Sequence, residues 1–451
     1  MSGIRIYNVG LDGIRLSKGI TVEEFKNWIV GTISGGNSDY MTSVVESDDG
    51  GYVSIGYQQS DTLGAYDICI FKYDKNLNLL TQKSIGGSAN DFGLKICKST
   101  DGGFIVVGQQ SSEGVGSSDA FIIKYDSNLS LINQKALGDT GTDIFKSVIA
   151  TPDGGCIVVG SQTSQSEGGY NAFIVKYDSN LVVQAQKSLG GTSNDHFEDV
   201  IDSGDGGYVA VGYHASNSIA SDDGLIVKFN SNLEPIIVKG FGWTGTDRFR
   251  GIVRKDSGGF VVCGEQSSQG QGAYDGLVVE YDSNLNVTKQ IYVGGSDSDY
   301  FNSITKSIEG GYVVSGYSYS GAVGANDLLI VKLDNQLNVL EQKFLGGASN
   351  DISRSIITTS DLGYIIVGNE RSVNGNYDGL ITKIPNDFSL LTGTLTNHSG
   401  LYWATANLLS STTTLNETTP TLTETTLTLT ETSTTLTEST TTLTEIRSEK
   451  Q

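Results

Sequence analysis

The chain repeats itself every 52 residues, and that period constrains its fold more than any other feature. The second glycine of a DGG-type turn falls at Gly51, Gly103, Gly155, Gly207, Gly259, Gly311 and Gly363. An aspartate keeps the same interval at Asp39, Asp91, Asp143, Asp195, Asp247, Asp299 and Asp351. A further glycine does so at Gly56, Gly108, Gly160, Gly212, Gly264, Gly316 and Gly368. The last unit loses one residue before Asp378, and the repeat region runs from about residue 35 to 396. Seven units in register mean one supersecondary element built seven times, each too small to bury its own apolar surface.

Each unit reads as four strands. In the unit that starts at Asp143, DIFKSVIAT is a strand and PDGG a turn. CIVVG is a strand apolar on both faces, SQTSQSEGGYN a polar loop, AFIVKYD a third strand, SN a turn and LVVQAQKSL a fourth strand. Asp-Gly-Gly and Asp-Ser-Asn supply tight-turn chemistry: glycine takes φ > 0, and Asp or Asn bonds its own backbone. The composition agrees, with 58 Gly, 21 Tyr and only 4 Pro among 451 residues. Four antiparallel strands repeated seven times predict an all-β, seven-bladed β-propeller, since a closed ring covers both faces of every blade and an open solenoid does not. The motifs DGG[YF][IV]VxG and DAFIxKYDSNL resemble bacterial-type propeller repeats over about 360 residues. That resemblance implies the fold and leaves the function open.

Residues 1–33 match no unit and read as a lead-in, residues 34–397 as the propeller, and residues 398–451 as a tail. Two segments compete to close the ring: the stretch around Trp28–Ser34 and the stretch DFSLLTGTL after the last unit. Thr21 and Glu24 form a capping-box pattern for a short helix over residues 22–30, which favours the C-terminal segment as the closing strand. The tail is Thr, Leu, Glu and Ser with a period of seven: Leu415, Leu422, Leu429, Leu436 and Leu443, with Glu417, Glu424, Glu431, Glu438 and Glu445. The reading preferred here is a disordered or glycosylated Thr-rich stalk, because Thr is a poor helix former and one Leu per heptad is a thin seam. A coiled coil joining copies into a homo-oligomer, and a β-structured fibre, are the alternatives.

A net charge of −22 argues against nucleic acid. No apolar run reaches the length of a membrane span, and the N-terminus carries no recognisable signal peptide. Cys69, Cys97, Cys156 and Cys263 form no CxxC and read as small buried residues. There is no GxSxG, HExxH or P-loop, so no catalytic residue is assigned. No cofactor is expected. Asp-rich turns such as Asp74–Asn76 offer calcium ligands, but without a DxDxDG run.

Candidate binding residues are those that break the repeat on one face of the ring. The loop between the fourth and fifth units carries Trp243 in place of a small residue, followed by Arg248 and Arg250; His196, Tyr213 and His214 lie in the preceding blade. Trp and Arg are frequent anchors of binding surfaces, and Tyr and His add flat faces with polar tips. The same residues also suit a bland role, with Trp243 plugging a gap between blades and the arginines pairing nearby carboxylates. The expectation is a non-enzymatic binding and display module that meets a glycan or a protein surface outside the cell or on a virion, in the manner of a phage fibre. A propeller enzyme acting on polysaccharide, as lyase or hydrolase, and an intracellular protein scaffold are the alternatives.

Overall fold

The computed structural model describes residues 37–388 apart from 60–64, 113–116, 165, 167, 217, 219–220, 271, 323–324 and 372–374. It also describes Leu391 and strands at 3–8 and 29–34 and in the tail. Seven separate sheets, each built on four antiparallel strands that are consecutive in six of them, form the blades of a propeller. In blade 1 the strands are Asp39–Glu46, Tyr52–Gln58, Asp67–Tyr73 and Leu79–Gly86; in blade 3 they are Asp143–Ala150, Cys156–Gln162, Asn171–Tyr177 and Val183–Gly190. Among the described residues there is no α-helix.

The second and third strands are buried along nearly their whole length, because neighbouring blades cover both of their faces. The core is therefore a series of layers between blades. One layer joins Ile105, Val107 and Ile122 of blade 2 to Phe145, Val158 and Phe173 of blade 3. Another joins Met41, Tyr52 and Phe71 of blade 1 to Ile365, Val367 and Ile381 of blade 7, so the ring is closed by the same apolar contact that builds it. A repeated cation reinforces the layers. Lys72 Nζ sits 3.0 Å from Asp49 in its own blade and donates to Ser127 O of the next; Lys124 does the same with Asp101 and Ser179 O, and Lys228 with Asp205 and Ser283 O. Lys383 repeats the contact across the closure, from blade 7 to Lys75 O of blade 1.

The glycine series explains itself in the first strand. That strand carries a bulge in every blade, between Met41 and Ser43 in blade 1 and between Phe145 and Ser147 in blade 3. The bulge brings a backbone carbonyl onto the facing glycine, so that a Cβ on Gly56 would lie 1.8 Å from Tyr40 O, and one on Gly160 equally close to Ile144 O. The aspartate series ties turns together. Asp91 accepts from Gly87 N at 3.0 Å, from Ser111 N at 3.1 Å and from Ser112 N at 3.2 Å, so one carboxylate holds the turn entering the blade and the loop after its second strand. In the Asp-Ser-Asn-Leu turn the aspartate accepts backbone bonds as expected, but the left-handed residue is the leucine: Leu129 has φ 63° and Leu181 φ 59°, and both are buried. Burial of the leucine side chain offsets the strain of a non-glycine residue there.

The closing strand is the N-terminal one, contrary to the expectation. Ile29–Ser34 pairs antiparallel with Tyr377–Pro385 as the fourth strand of blade 7, with Gly31 opposite Ile381. The competing segment instead turns back: Phe388 and Leu391 are buried in the layer between blades 6 and 7. The reason is legible in register. Ile33 stands 52 residues before Ile85, so the N-terminal segment is a fourth strand in phase with the repeat. Most of the expected helix over residues 22–30 lies outside the described residues, and Ile29 and Val30 at its end are strand.

The tail segments that are described are short strands, so a helical coiled coil does not describe them. Tyr402–Thr405 pairs with the outer strand of blade 6, Leu409–Ser411 with blade 5, Glu417–Thr418 with blade 4, Thr423–Thr425 with blade 3, Thr430–Thr432 with blade 2 and Thr437–Ser439 with blade 1. Thr444 and Glu445 then meet Gly3–Asn8, which pairs with Ile29–Ser34 in blade 7. The register repeats: Glu424 faces Leu189, Glu431 faces Leu137 and Glu438 faces Ile85. Seven extended residues reach at most about 25 Å. The outer edges of adjacent four-stranded blades in such a ring are on the order of 20 Å apart, given strands about 4.8 Å apart. One heptad therefore spans one blade.

Two outcomes follow. Gly160→Ala should destabilise the fold by ~1–3 kcal/mol or more in thermal or chemical denaturation, although alanine normally favours a strand over glycine. Removing residues 402–451 should lower the melting temperature and bare the outer edges, so that sedimentation shows association rather than the smaller mass expected from losing a coiled coil.

Candidate functional site

The bulge that demands glycine on the second strand also selects what faces the central channel. The extra residue of each bulge is unpaired in the ladder and is turned away from it. In blade order these residues are Thr42, Leu94, Lys146, Glu198, Arg250, Asn302 and Arg354, and all seven line one cleft of about 460 Å³ at the channel. Lys95, Asp199, Arg248, Glu265, Tyr57, Tyr274, Tyr300 and Tyr317 complete much of its wall. In three blades the following residue of the first strand stitches its blade to the next around the channel: Ser43 Oγ accepts from Ile96 N, Asp199 Oδ2 from Ile252 N and Ser303 Oγ from Ile356 N.

Aromatic rings crowd the mouth in three groups. Tyr40 stacks on Tyr57 at 4.8 Å and lies 5.3 Å from Tyr377, while Tyr57 meets Phe92 edge-on at 4.8 Å. Tyr300 stacks on Tyr274 at 5.3 Å and on Tyr317 at 4.7 Å. His196 stacks on Tyr213 at 4.7 Å, with Tyr170 5.0 Å away.

Four of the six candidates from the sequence meet in the third group. The Arg248 guanidinium lies 4.7 Å from the Tyr213 ring and that of Arg250 5.6 Å from it. Arg248 Nε donates to Asp222 at 2.8 Å. Arg250 Nη2 donates to Glu265 at 2.6 Å, and its Nη1 lies 3.5 Å from Glu198. Burial opposes charge on Arg250, but Glu265 and Glu198 outweigh it and hold the guanidinium firmly protonated. Burial pushes His196 down to about 4 against the pull of Glu198, so it is a neutral imidazole at pH 7.

The other two candidates point elsewhere. His214 follows Tyr213 on the same strand, and successive strand residues face opposite sides. It is fully buried, pushed down to about 4 by burial, and occupies the position that Gln58, Gln110, Gln162 and Gln266 hold in other blades. Trp243 keeps the repeat's backbone bond, donating from its N to Asp247 at 3.0 Å, and packs against the apolar layer between blades 4 and 5. It is the inter-blade plug.

Sequence reasoning missed Arg354, Lys146, Lys95, Glu198 and the Tyr274–Tyr300–Tyr317 stack. The signal was the column three residues after each aspartate, which runs Thr, Leu, Lys, Glu, Arg, Asn, Arg while the aspartate itself recurs in all seven units. At the suggested calcium turn, Asp74 Oδ1 accepts from Asn76 N and Asn78 N, and Oδ2 from Asn78 Nδ2, so the carboxylate is already engaged. Among the described residues no group of three His, Cys, Asp or Glu is placed to hold a metal.

No protein-family model and no curated protein matches this chain. Among solved structures it is similar to Sqt1 from Chaetomium thermophilum, at 12% identity and a TM-score of 0.45, over 74% of this chain and 80% of that one. It is also similar to a protein of unknown function from Dyadobacter fermentans, at 9% identity and a TM-score of 0.43, over 78% and 97%. A third likeness is to endo-1,5-α-L-arabinanase from Thermotoga petrophila, at 10% identity and a TM-score of 0.28, over 76% and 97%. At these values the likenesses carry nothing about what the chain binds or does.

Two substitutions separate plug from site. Trp243→Ala should cost roughly 2–3 kcal/mol in unfolding, below the range for a fully buried Trp, and leave binding at the channel unchanged. Arg250→Met strands Glu265, whose side chain is 2% exposed, and Glu198 beside it. It should cost ~3–5 kcal/mol at neutral pH. That cost should shrink as pH falls through the carboxylate range, because a buried acid is tolerated neutral and not charged.

Proposed function

We propose that the propeller is a non-enzymatic binding head whose channel mouth takes a polar, hydroxyl-rich ligand, a glycan chain, displayed at a cell surface or on a virion. The observation that carries this reading is the combination lining the cleft: stacked tyrosine faces beside fixed hydrogen-bonding groups such as Asn302, Thr42, Arg248 and Arg250. Aromatic faces cover the apolar side of a sugar ring, and tyrosine hydroxyls and guanidinium groups serve its hydroxyls. Concave sites with a few fixed polar groups among rings are the common form of small-ligand pocket. The Arg250–Glu265–Glu198 and Arg248–Asp222 contacts hold the walls in place before a ligand arrives, which reduces the ordering cost of binding. The blades give the mouth a rigid frame, while the polar loops above it vary from unit to unit.

The test is a glycan panel read by calorimetry on the intact chain and on Tyr300→Ala combined with Tyr317→Ala. The expected result is binding without turnover, weakened several-fold or more by the double variant at unchanged fold. Loss of two aromatic contacts at roughly 0.5–1.5 kcal/mol each sets that scale. Hydrolysis or eliminative cleavage of a bound glycan would replace the binding head with the enzyme reading. Binding unaffected by the tyrosine changes would remove the channel as its site.

A further inference from the structure

The cleft inverts the charge of the chain that builds it. The whole chain has 29 Lys and Arg against 51 Asp and Glu. The cleft wall carries five cations, Lys95, Lys146, Arg248, Arg250 and Arg354, against three carboxylates, Glu198, Asp199 and Glu265. The carboxylates are all engaged. Glu265 and Glu198 hold Arg250, Asp199 lies 3.6 Å from Lys95, and the charge of Lys146 also acts on Glu198. Arg248 is held from outside the cleft by Asp222. Arg354 is left over. It is exposed, and among the described residues its guanidinium makes no ion pair or hydrogen bond. Its charge reaches the hydroxyls of Tyr57 in blade 1 and Tyr317 in blade 6, the blades on either side of its own.

The position is built rather than incidental. Arg354 is the bulged residue of blade 7, displaced from the ladder between Ser353 and Ser355. Along the arc from blade 7 through blades 1 and 2 to blade 3, the bulged residues are Arg354, Thr42, Leu94 and Lys146, with no carboxylate among them. The acids lie on the other arc, where Arg250 answers Glu198 and Glu265. Guanidinium is a planar fork that is weakly hydrated for a cation and matches a carboxylate through two parallel hydrogen bonds. In a channel with low-dielectric walls, its field is focused rather than dissipated.

Building on the reading of this cleft as a glycan site, we propose that the ligand is acidic: a uronate-bearing glycan whose carboxylate docks on Arg354 while its rings lie against Tyr57 and Tyr317. The carboxylate supplies the partner that the protein withholds from this one arginine. It also gives the ligand a fixed orientation, because, of the two arginines at bulge positions, Arg250 is held by Glu265 and Glu198, whereas among the described residues Arg354 has no such partner. The remaining bulge residues then read the hydroxyls: Asn302 and Thr42 flank Arg354 on its two sides in ring order. The overall negative charge of the chain repels such a ligand at a distance, but beyond about 8 Å that repulsion is screened at physiological salt, whereas the contact pair is not.

The experiment compares a galacturonate tetramer with its carboxyl-reduced neutral counterpart, on the intact chain and on Arg354→Gln, Arg354→Lys and Tyr317→Ala. The expected result is at least tenfold tighter binding of the acidic tetramer to the intact chain. Arg354→Gln should abolish that preference while the neutral tetramer binds as before, and Arg354→Lys should keep part of it. Equal melting of the Arg354 variants and the intact chain, expected for an exposed side chain, excludes a folding effect. A neutral tetramer that binds as tightly as the acidic one, or a preference that survives in Arg354→Gln, overturns the proposal while leaving the glycan site. Failure of both tetramers to bind the intact chain overturns the glycan reading itself. Binding of inorganic sulfate alone, lost in Arg354→Gln, overturns the sugar as the source of the anion.

Discussion

One close approach organises this protein: a carbonyl of each first strand pressed onto a glycine of the second. The contact leaves no room for a Cβ at Gly56, Gly160 or their equivalents. It exists because the first strand carries a bulge at that point, and the bulge has two consequences. It bends the innermost strand of every blade where it borders the channel. It also expels one residue from the ladder, and that residue faces the cleft. A feature that reads as fold chemistry in the glycine column is thus the device that presents the residues of the candidate site.

Sevenfold repetition gives the channel a ring of equivalent positions, and the chain uses them unequally. Thr42, Leu94, Lys146, Glu198, Arg250, Asn302 and Arg354 occupy the same place in seven blades yet range from hydroxyl, aliphatic and amide to carboxylate and cation. A residue that every blade needs for its own turn, such as the Asp39 to Asp351 series, is invariant among the units because it serves backbone bonds within each blade. A residue that faces the shared channel serves the assembled ring, and one ligand needs only one copy of each group. The contrast between adjacent columns therefore separates framework from site. In blades 4 and 5 the variation is spent on an internal network, Arg250 with Glu265 and Glu198 and Arg248 with Asp222, which stiffens one wall. Across the channel, blade 7 offers Arg354 without such a partner among the described residues.

Much of this was legible before the structure. The 52-residue period and the turn chemistry carry the blade count and the strand boundaries, because antiparallel hairpins are local and their signals lie within a few residues of each other. Four of the six candidate residues do converge. Tyr213 and His214 were separated by the pleat, which sends neighbours on a strand to opposite faces. Trp243 packs, partly buried, against the layer between blades 4 and 5 because a large apolar ring beside an apolar layer gains from being covered. The closing strand is the exception, although Ile33 keeps phase with Ile85. The capping-box pattern at Thr21 and Glu24 favours the other segment, and the pairing with Tyr377–Pro385 joins residues some 350 positions apart in the sequence.

The tail marks the division most clearly. Its period of seven is written in the sequence, and by itself seven admits a helical heptad, a stalk or a fibre. The sequence determined the interval and the residue types: threonine-rich, poor in helix formers, one leucine and one glutamate per step. Only the closed ring decided what the interval measures. Seven blades expose outer strand edges at a spacing that one extended heptad spans, and an unpaired edge offers hydrogen-bonding groups at the same register in every blade. The tail segments meet those edges in turn, with Glu438, Glu431 and Glu424 opposite Ile85, Leu137 and Leu189. A local pattern states how far apart like residues lie along the chain. The partner that repeats at the same distance exists only once the chain has folded into a circle.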